Sequence, residues 1–296
     1  MKTPYYLLLI FSLSIGCQPK PIDRLNAQIE EILCPIDGHF AIAFQDLKNK
    51  ERYYFLNEGE SFHAASTMKV PVMIELFQQA EQGIFALEDS ILIHNQFKSI
   101  VDGSDYAMDI AVDSQGDLYG SIGKNTTLYD LMYEMITSSS NLSTNILIDK
   151  IGAKNVTATM RKLGAEKIAV LRGVEDQKAF DLGLNNTTTA RDFLIILESI
   201  AQKEAASPEA CDKMIAILKE QKFNEIIPHF LPSDVQVAHK TGSITGLHHD
   251  GGIVYLPDDS GYVLVLFSKD LTDFDEGTNA LARLSELFYA YYIADR

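Results

Sequence analysis

The chain predicts an α+β fold, with one antiparallel sheet assembled from both chain ends, covering helices, and an all-α lobe between them. Two observations carry this. Strand-like segments lie near the N-terminus, at His39 to Asp46 and Arg52 to Leu56. They return near the C-terminus, at Val235 to Lys240, Gly252 to Leu256 and Tyr262 to Ser268. The stretch from Ser66 to about Ile227 is dominated instead by helical periodicity. A sheet fed from two distant segments leaves the intervening helices to form a lobe of their own. A cleft between two such lobes is a usual place for an active site.

The elements follow in order. Lys2 precedes an apolar run, Tyr5 to Ile15, too short to span a bilayer but suited to a signal-peptide core. It ends in Leu13-Ser14-Ile15-Gly16-Cys17, which resembles a bacterial lipobox. Residues 1–16 are therefore expected to be a signal peptide and Cys17 a lipidated N-terminus, with plain secretory cleavage as the alternative. The protein would then be exported to the periplasm or cell envelope. Gln18-Pro19-Lys20-Pro21 reads as a polar tether, over 17–23. The folded domain is expected over 24–296, with the helical lobe inserted at about 60–228. Ile22 to Leu33 is an amphipathic helix with Ile22, Leu25, Ile29, Ile32 and Leu33 on one side. The first two strands form a hairpin through Lys48-Asn49-Lys50. Helices are expected at Leu128 to Ile136, Ser143 to Ile151, Val156 to Leu163, Ala190 to Gln202, Ser207 to Lys219 and Phe274 to Ala294. Val101 to Lys124 has little apolar periodicity and reads as a long loop.

Composition bounds the function. The 296 residues are 46% hydrophobic and 22% charged, ordinary for a globular protein of one large domain or two lobes. A formal net charge of -16 argues against a nucleic-acid backbone or an anionic membrane surface as partner. Cys34 and Cys211 are far apart in sequence, and no structural disulfide is expected. No spacing suggests a metal site and no glycine-rich phosphate loop is present, so no cofactor is expected.

Three motifs carry chemistry. Ser66-Thr67-Met68-Lys69 opens a helical run reaching Gln79, with Pro71 tolerated in its first turn. Ser66 then lies near a helix N-terminus, whose unpaired N–H groups stabilise an oxyanion. Lys69 shares its face, and a lysine kept neutral by its surroundings can take the hydroxyl proton. The alternative is a capping serine beside a solvated lysine. Met135 to Asn141 ends one helix and opens the next, setting Ser139 and Asn141 on a short turn. They read either as helix caps or as a proton-relaying hydroxyl and an amide that orients a substrate carbonyl. His239-Lys240-Thr241-Gly242-Ser243 closes a strand. Gly242 lets a ligand approach the backbone, Lys240 and Thr241 can hold an anionic group, and the Ser243 N–H can complete an oxyanion hole with that of Ser66. The alternative is an edge strand ending in a glycine turn.

Ser-x-x-Lys, then Ser-x-Asn, then Lys-Thr-Gly, in that order, resemble the penicillin-recognising serine enzymes, the class A β-lactamases and penicillin-binding proteins. The likeness extends through Phe62 to Lys69, Met135 to Leu147, Asn186 to Ala190 and Ala238 to Pro257, and covers about residues 24 to 292. It implies a β-lactamase/DD-peptidase-like fold and a serine hydrolase, with antibiotic resistance as its biological setting. Ser66 would be the acylated nucleophile, Lys69 its proton acceptor and Ser139 the donor to the leaving nitrogen. Asn141 would contact the substrate amide, Lys240 and Thr241 its carboxylate, and Asn145 would be structural. The substrate would be a small β-lactam or a cell-wall peptide, the enzyme a monomer, and its one link to a membrane the N-terminal lipid. A D-alanyl-D-alanine carboxypeptidase, another peptidase or esterase of the fold, and a slowly turning over β-lactam sensor are the alternatives.

The loop that carries the deacylating glutamate in this family departs from its pattern. Arg172 matches, but Glu175 comes one residue late and Asn186 replaces the usual aspartate. Glu175 is the expected base, with Asp176 and Asp181 behind it; the alternative makes all three solvated loop carboxylates. No arginine occurs in Ile244 to Ile253, where many relatives keep a helper for the substrate carboxylate; His248 and His249 stand there, with Asp250 as a partner for one of them. Packed or surface roles are the expectation for both histidines.

Overall fold

The structure is a computed structural model that describes residues 21–294. The signal segment and the Cys17 lipid site lie outside the described residues. Helix α1 (Pro21–Leu33) begins three residues earlier than the tether boundary allowed, so Pro21, Ile22 and Asp23 are helical. Strands β1 (His39–Asp46) and β2 (Tyr53–Leu56) form the expected hairpin.

The helical lobe comprises α2 (Lys69–Glu81), α3 (Leu128–Thr137), α4 (Asn141–Ile151), α5 (Ala153–Lys162), the single turn α6 (Gln177–Asp181), α7 (Ala190–Ala201) and α8 (Pro208–Lys219). Their starts follow local chemistry: the hydroxyls of Thr127, Ser140, Thr189 and Ser207 accept the N–H three residues on and cap α3, α4, α7 and α8. The chain returns to the sheet as β3 (Gln236–Ile244), β4 (Leu247–Tyr255) and β5 (Gly261–Lys269), and ends in α9 (Phe274–Ala294).

The five strands are ordered β2-β1-β5-β4-β3, every neighbouring pair antiparallel. Alternate residues serve opposite faces. Ile42, Phe44, Leu264 and Leu266 pack with Leu25 and Ile29 of α1 and Leu281, Leu284 and Phe288 of α9. Ala41, Ala43, Val263, Val265 and Phe267 face the helical lobe, where Phe193 and Leu197 of α7 meet them. Burial on both faces explains why β5 reads as a continuous apolar run. At the centre of the lobe α2 is buried from Lys69 through Phe77. Cys34 is exposed, Cys211 is buried, and both are free thiols. No helix among the described residues is long and apolar enough to cross a membrane.

Both β3 and β4 run beyond their expected ends, through Lys240-Thr241-Gly242-Ser243 and His248-His249-Asp250. The 101–124 stretch is largely irregular, as expected, with a two-residue ladder (Phe97–Lys98 with Asp105–Tyr106) and a 3-10 turn at Gly116–Ser121.

Candidate active site

Ser66 does not open an α-helix directly. It sits in a tight 3-10 turn, Ala65–Met68, that runs on into α2. Ala65 just before it has φ +45°, a left-handed conformation that costs a residue with a Cβ about 1–3 kcal/mol. Strand β3 lies against this turn: a Cβ on Gly242 would come within 3.1 Å of the backbone nitrogens of both Ser66 and Thr67. Glycine is therefore what brings Ser243 beside the nucleophile.

Two lysines are buried beneath it, each with no exposed surface. Lys69 Nζ donates to the Ser139 carbonyl at 2.6 Å and to Asn141 Oδ1 at 2.9 Å, and it meets the Ser139 hydroxyl at 3.1 Å. Lys240 Nζ reaches the same Ser139 Oγ at 3.1 Å and the Thr241 carbonyl at 3.0 Å. One hydroxyl thus bridges both amines. Burial, then the charge of Lys240, holds Lys69 well below its ordinary pKa, against the opposing pull of Asp113 and Glu175. Burial pushes Lys240 down to about 7, opposed by Asp250. Among the described residues no hydrogen bond joins Lys69 Nζ to Ser66 Oγ; such bonds commonly tighten only with substrate in place.

The capping alternative for the second motif falls on the intervening residue. Ser140 caps α4, accepting from Ser143 N–H at 3.2 Å. Ser139, at φ +57°, and Asn141 are left to face the lysines.

The three loop carboxylates separate cleanly. Glu175 Oε1 accepts from Asn141 Nδ2 at 2.9 Å and Oε2 from Asp109 N–H at 3.2 Å. Burial raises its pKa, the two hydrogen bonds oppose, and the charges of Asp113 and Asp109 add to the rise. Asp176 is buried and committed to the Ser99 hydroxyl and the Ile100 and Ala179 amides. Asp181 is exposed and accepts from Gln177. Of the three, Glu175 is the one bonded to a motif residue, Asn141, although Asp176 also lines the cavity beside Ser66. The loop is pinned by Asn145 of α4, whose Oδ1 accepts Val174 N–H at 2.6 Å and whose Nδ2 donates to the Val174 carbonyl at 3.0 Å. A Cβ on Gly173 would stand 2.3 Å from that Oδ1, so only glycine fits. Asn186 closes the loop's neck with its amide, bonding the backbone of Leu171 and Arg172, while the Arg172 guanidinium binds the Gly173 and Leu184 carbonyls and Asn185. The Arg172 guanidinium thus binds neutral acceptors, two carbonyls and an amide oxygen.

The histidine expectation needs one correction. Asp250 pairs with neither His248 nor His249 but with His239, at 2.9 Å: His249 faces the other side of β4, His248 shares the Asp250 face but turns to Phe274 and Thr278, and His239 lies diagonally across on β3. His249 is buried against the His63 carbonyl, and His248 stacks on Phe274 at 4.7 Å and meets Thr278 Oγ1 at 2.8 Å. Sequence reasoning missed Asp113. Its carboxylate accepts the Asn141 and Leu142 N–H groups and the Tyr119 hydroxyl, fixing the start of α4. A lone aspartate in an aperiodic loop gave no signal.

Ser66 opens onto two cavities. One, about 440 Å³, is lined by Ser139, Thr241, Ser243, Phe223 and His248; the other, about 330 Å³, by Glu175, Val174, Phe180, His63 and Ile244. Among the described residues no three His, Cys, Asp or Glu side chains gather to hold a metal.

The chain is similar to β-lactamase CARB-4 of Pseudomonas aeruginosa, at 24% identity over 244 residues and 80% of each chain. It is similar to the extended-spectrum β-lactamase PER-1 of the same organism, at 22% identity over 277 residues, 90% of this chain and 87% of the relative. The crystal structure of a β-lactamase from Sphaerobacter thermophilus DSM 20745 matches with a TM-score of 0.76 at 25% identity, covering 91% of this chain and 97% of its own. Residues 24–292, from the first helix to the last and across the whole cleft, match the β-lactamase enzyme family, and the chain belongs to it.

Proposed function

We propose that this protein is a serine β-lactamase that opens the lactam ring through an acyl-enzyme on Ser66. One observation carries the reading. The Asn141 amide holds Lys69 through Oδ1 and Glu175 through Nδ2, so a base for each half-reaction stands on either side of one side chain. In the first half, Lys69 takes the Ser66 hydroxyl proton, Oγ bonds to the lactam carbon, and the N–H groups of Ser66 and Ser243 receive the oxyanion. The carbon–nitrogen bond then breaks and the nitrogen takes the Ser139 hydroxyl proton, which the neighbouring lysines restore. In the second half, Glu175 takes a proton from water, the hydroxide oxygen bonds to the acyl carbon, and Ser66 Oγ leaves and takes up the proton that Glu175 removed, which resets both groups. Lys240 and Thr241 bind the substrate carboxylate. Gly242 is the close-approach residue that admits the Ser66 turn beside β3 and so sets the Ser243 N–H near the nucleophile. Glu175 suits its task because a raised pKa brings a carboxylate nearer the operating pH of a general base.

Pre-steady-state mixing with a chromogenic cephalosporin tests this: steady turnover is expected, whereas a one-equivalent burst that stalls would overturn it. Export and anchoring through a lipid on Cys17 belong to the same proposal, on the strength of the Gly16-Cys17 junction. Mass spectrometry of the mature N-terminus from envelope fractions decides between lipid and plain secretion.

A further inference from the structure

We propose that His63 is a positioning residue, a latch that holds Ala65 in its left-handed conformation and so aims Ser66 into the cleft. The inference rests on the Ser66 reading above but concerns a residue outside the three motifs. The Nδ1 of His63 accepts the Ala65 N–H at 3.0 Å, two residues along the same chain. The His63 carbonyl is held in turn by His249, Nε2 to oxygen at 3.0 Å. Since His249 Nδ1 accepts the Ser268 N–H at 3.2 Å, its proton is on Nε2 and the bond to His63 is a donation. His63 also pairs in register with Thr187, and the Ala64 N–H binds the Asn186 carbonyl at 2.8 Å. Residue 63 is therefore fixed on both sides before its ring reaches forward to Ala65.

The need for a latch lies in Ala65. Its φ of +45° is unfavourable for any residue with a Cβ, and the alternative backbone well would rotate the next peptide. That peptide carries the Ser66 N–H, and the side chain beyond it carries the nucleophile. Burial and the charge of Arg172 lower the His63 pKa, which keeps Nδ1 unprotonated and able to accept. The other side of the ring packs edge-on against Phe180 in the cavity that Glu175 lines.

The test compares acylation by a fluorescent penicillin in four proteins: wild type, His63→Ala, His63→Asn and the double variant His63→Ala/Ala65→Gly. His63→Ala is expected to slow the acylation step on the order of 10- to 10²-fold with little change in apparent affinity, the scale of a small misplacement of a reacting group. His63→Asn keeps most of the rate, because its Oδ1 can accept the same N–H. The double variant regains most of it, because glycine adopts positive φ unaided. A purely structural histidine would show neither the rate-against-affinity split nor the glycine rescue. Wild-type labelling reports on the Ser66 reading by itself, and the ratio of variant to wild type reports on the latch. Equal rates for wild type and His63→Ala, or no rescue by Ala65→Gly, overturn it. So does a crystal structure of His63→Ala in which Ala65 keeps its positive φ, whatever the activity.

Discussion

At the scale of single residues, the cleft is a set of charges and dipoles moved away from their ordinary behaviour. Ser66→Ala is expected to abolish covalent labelling by a fluorescent penicillin; labelling at the wild-type level would remove the nucleophile assignment. Lys69→Ala should slow acylation by about 10²-fold or more, because general-base help contributes about 10²–10⁴; stopped-flow acylation rates check it. Glu175→Gln should acylate normally and then stall. Intact-protein mass spectrometry after brief mixing with a cephalosporin should show an adduct that persists only in the variant. Lys240 predicts a pH dependence. It is charged below its pKa, pushed down to about 7, so kcat/KM for an anionic substrate should fall as pH rises through that value. Lys240→Arg, with a guanidinium that stays charged, should lose that alkaline limb even if its plateau is lower; an unchanged limb would assign it to another group. Ser66, Lys69 and Lys240 were legible in the sequence because short motifs carry their own chemistry, and Glu175 only through the family resemblance of its loop. Asp113 and His63 were not, since each acts through a backbone N–H whose position only the folded chain defines.

At the scale of elements, precision comes from clamps between them. Helix α4 does two things at once: its first residue, Asn141, bridges Lys69 and Glu175, and its fifth, Asn145, grips the loop that carries Glu175. Gly173→Ala should break the second grip, since its Cβ would overlap Asn145 Oδ1. Deacylation is expected to fall much further than acylation, because the loop carries the base for that half alone. Equal losses in both, measured by single-turnover kinetics, would mean that the variant disturbs the whole lobe. Helix periodicity made the helices legible, most of their ends falling within two residues. The site end of β4 was hidden because His248, His249 and Asp250 are buried polar residues, which an apolar pattern search reads as loop; β3 was expected through Lys240 and runs on past it through the buried Thr241. The late glutamate was legible as a departure, but its reach was not: Glu175 sits at φ +61°, directly after the Val174 that Asn145 clamps.

At the scale of the molecule, two lobes meet at Ser66, and the sheet lobe is made from the two ends of the chain. Strand order along the sequence predicted that much. The pairing of β1 with β5, rather than with another late strand, was not readable, because partners in a sheet are chosen by packing on both faces. Phe44 stands opposite Leu264 in that pairing. Every proposed site residue precedes β5, yet a chain ending at residue 256 is expected to lose penicillin labelling and cooperative thermal unfolding together, since β1 and β4 lose the strand between them. Retained labelling in such a truncation would show that the helical lobe stands alone. The same pairing sets the timing of folding. A contact between residues so far apart closes late, after the entropy of a very long loop has been met. The N-terminal hairpin must therefore leave the ribosome with one edge unsatisfied and wait for Gly261–Lys269, near the end of the 296 residues. On the export reading proposed above, this delay is useful: the sheet lobe stays incomplete, and so easier to thread through a translocation channel, until its tail is delivered.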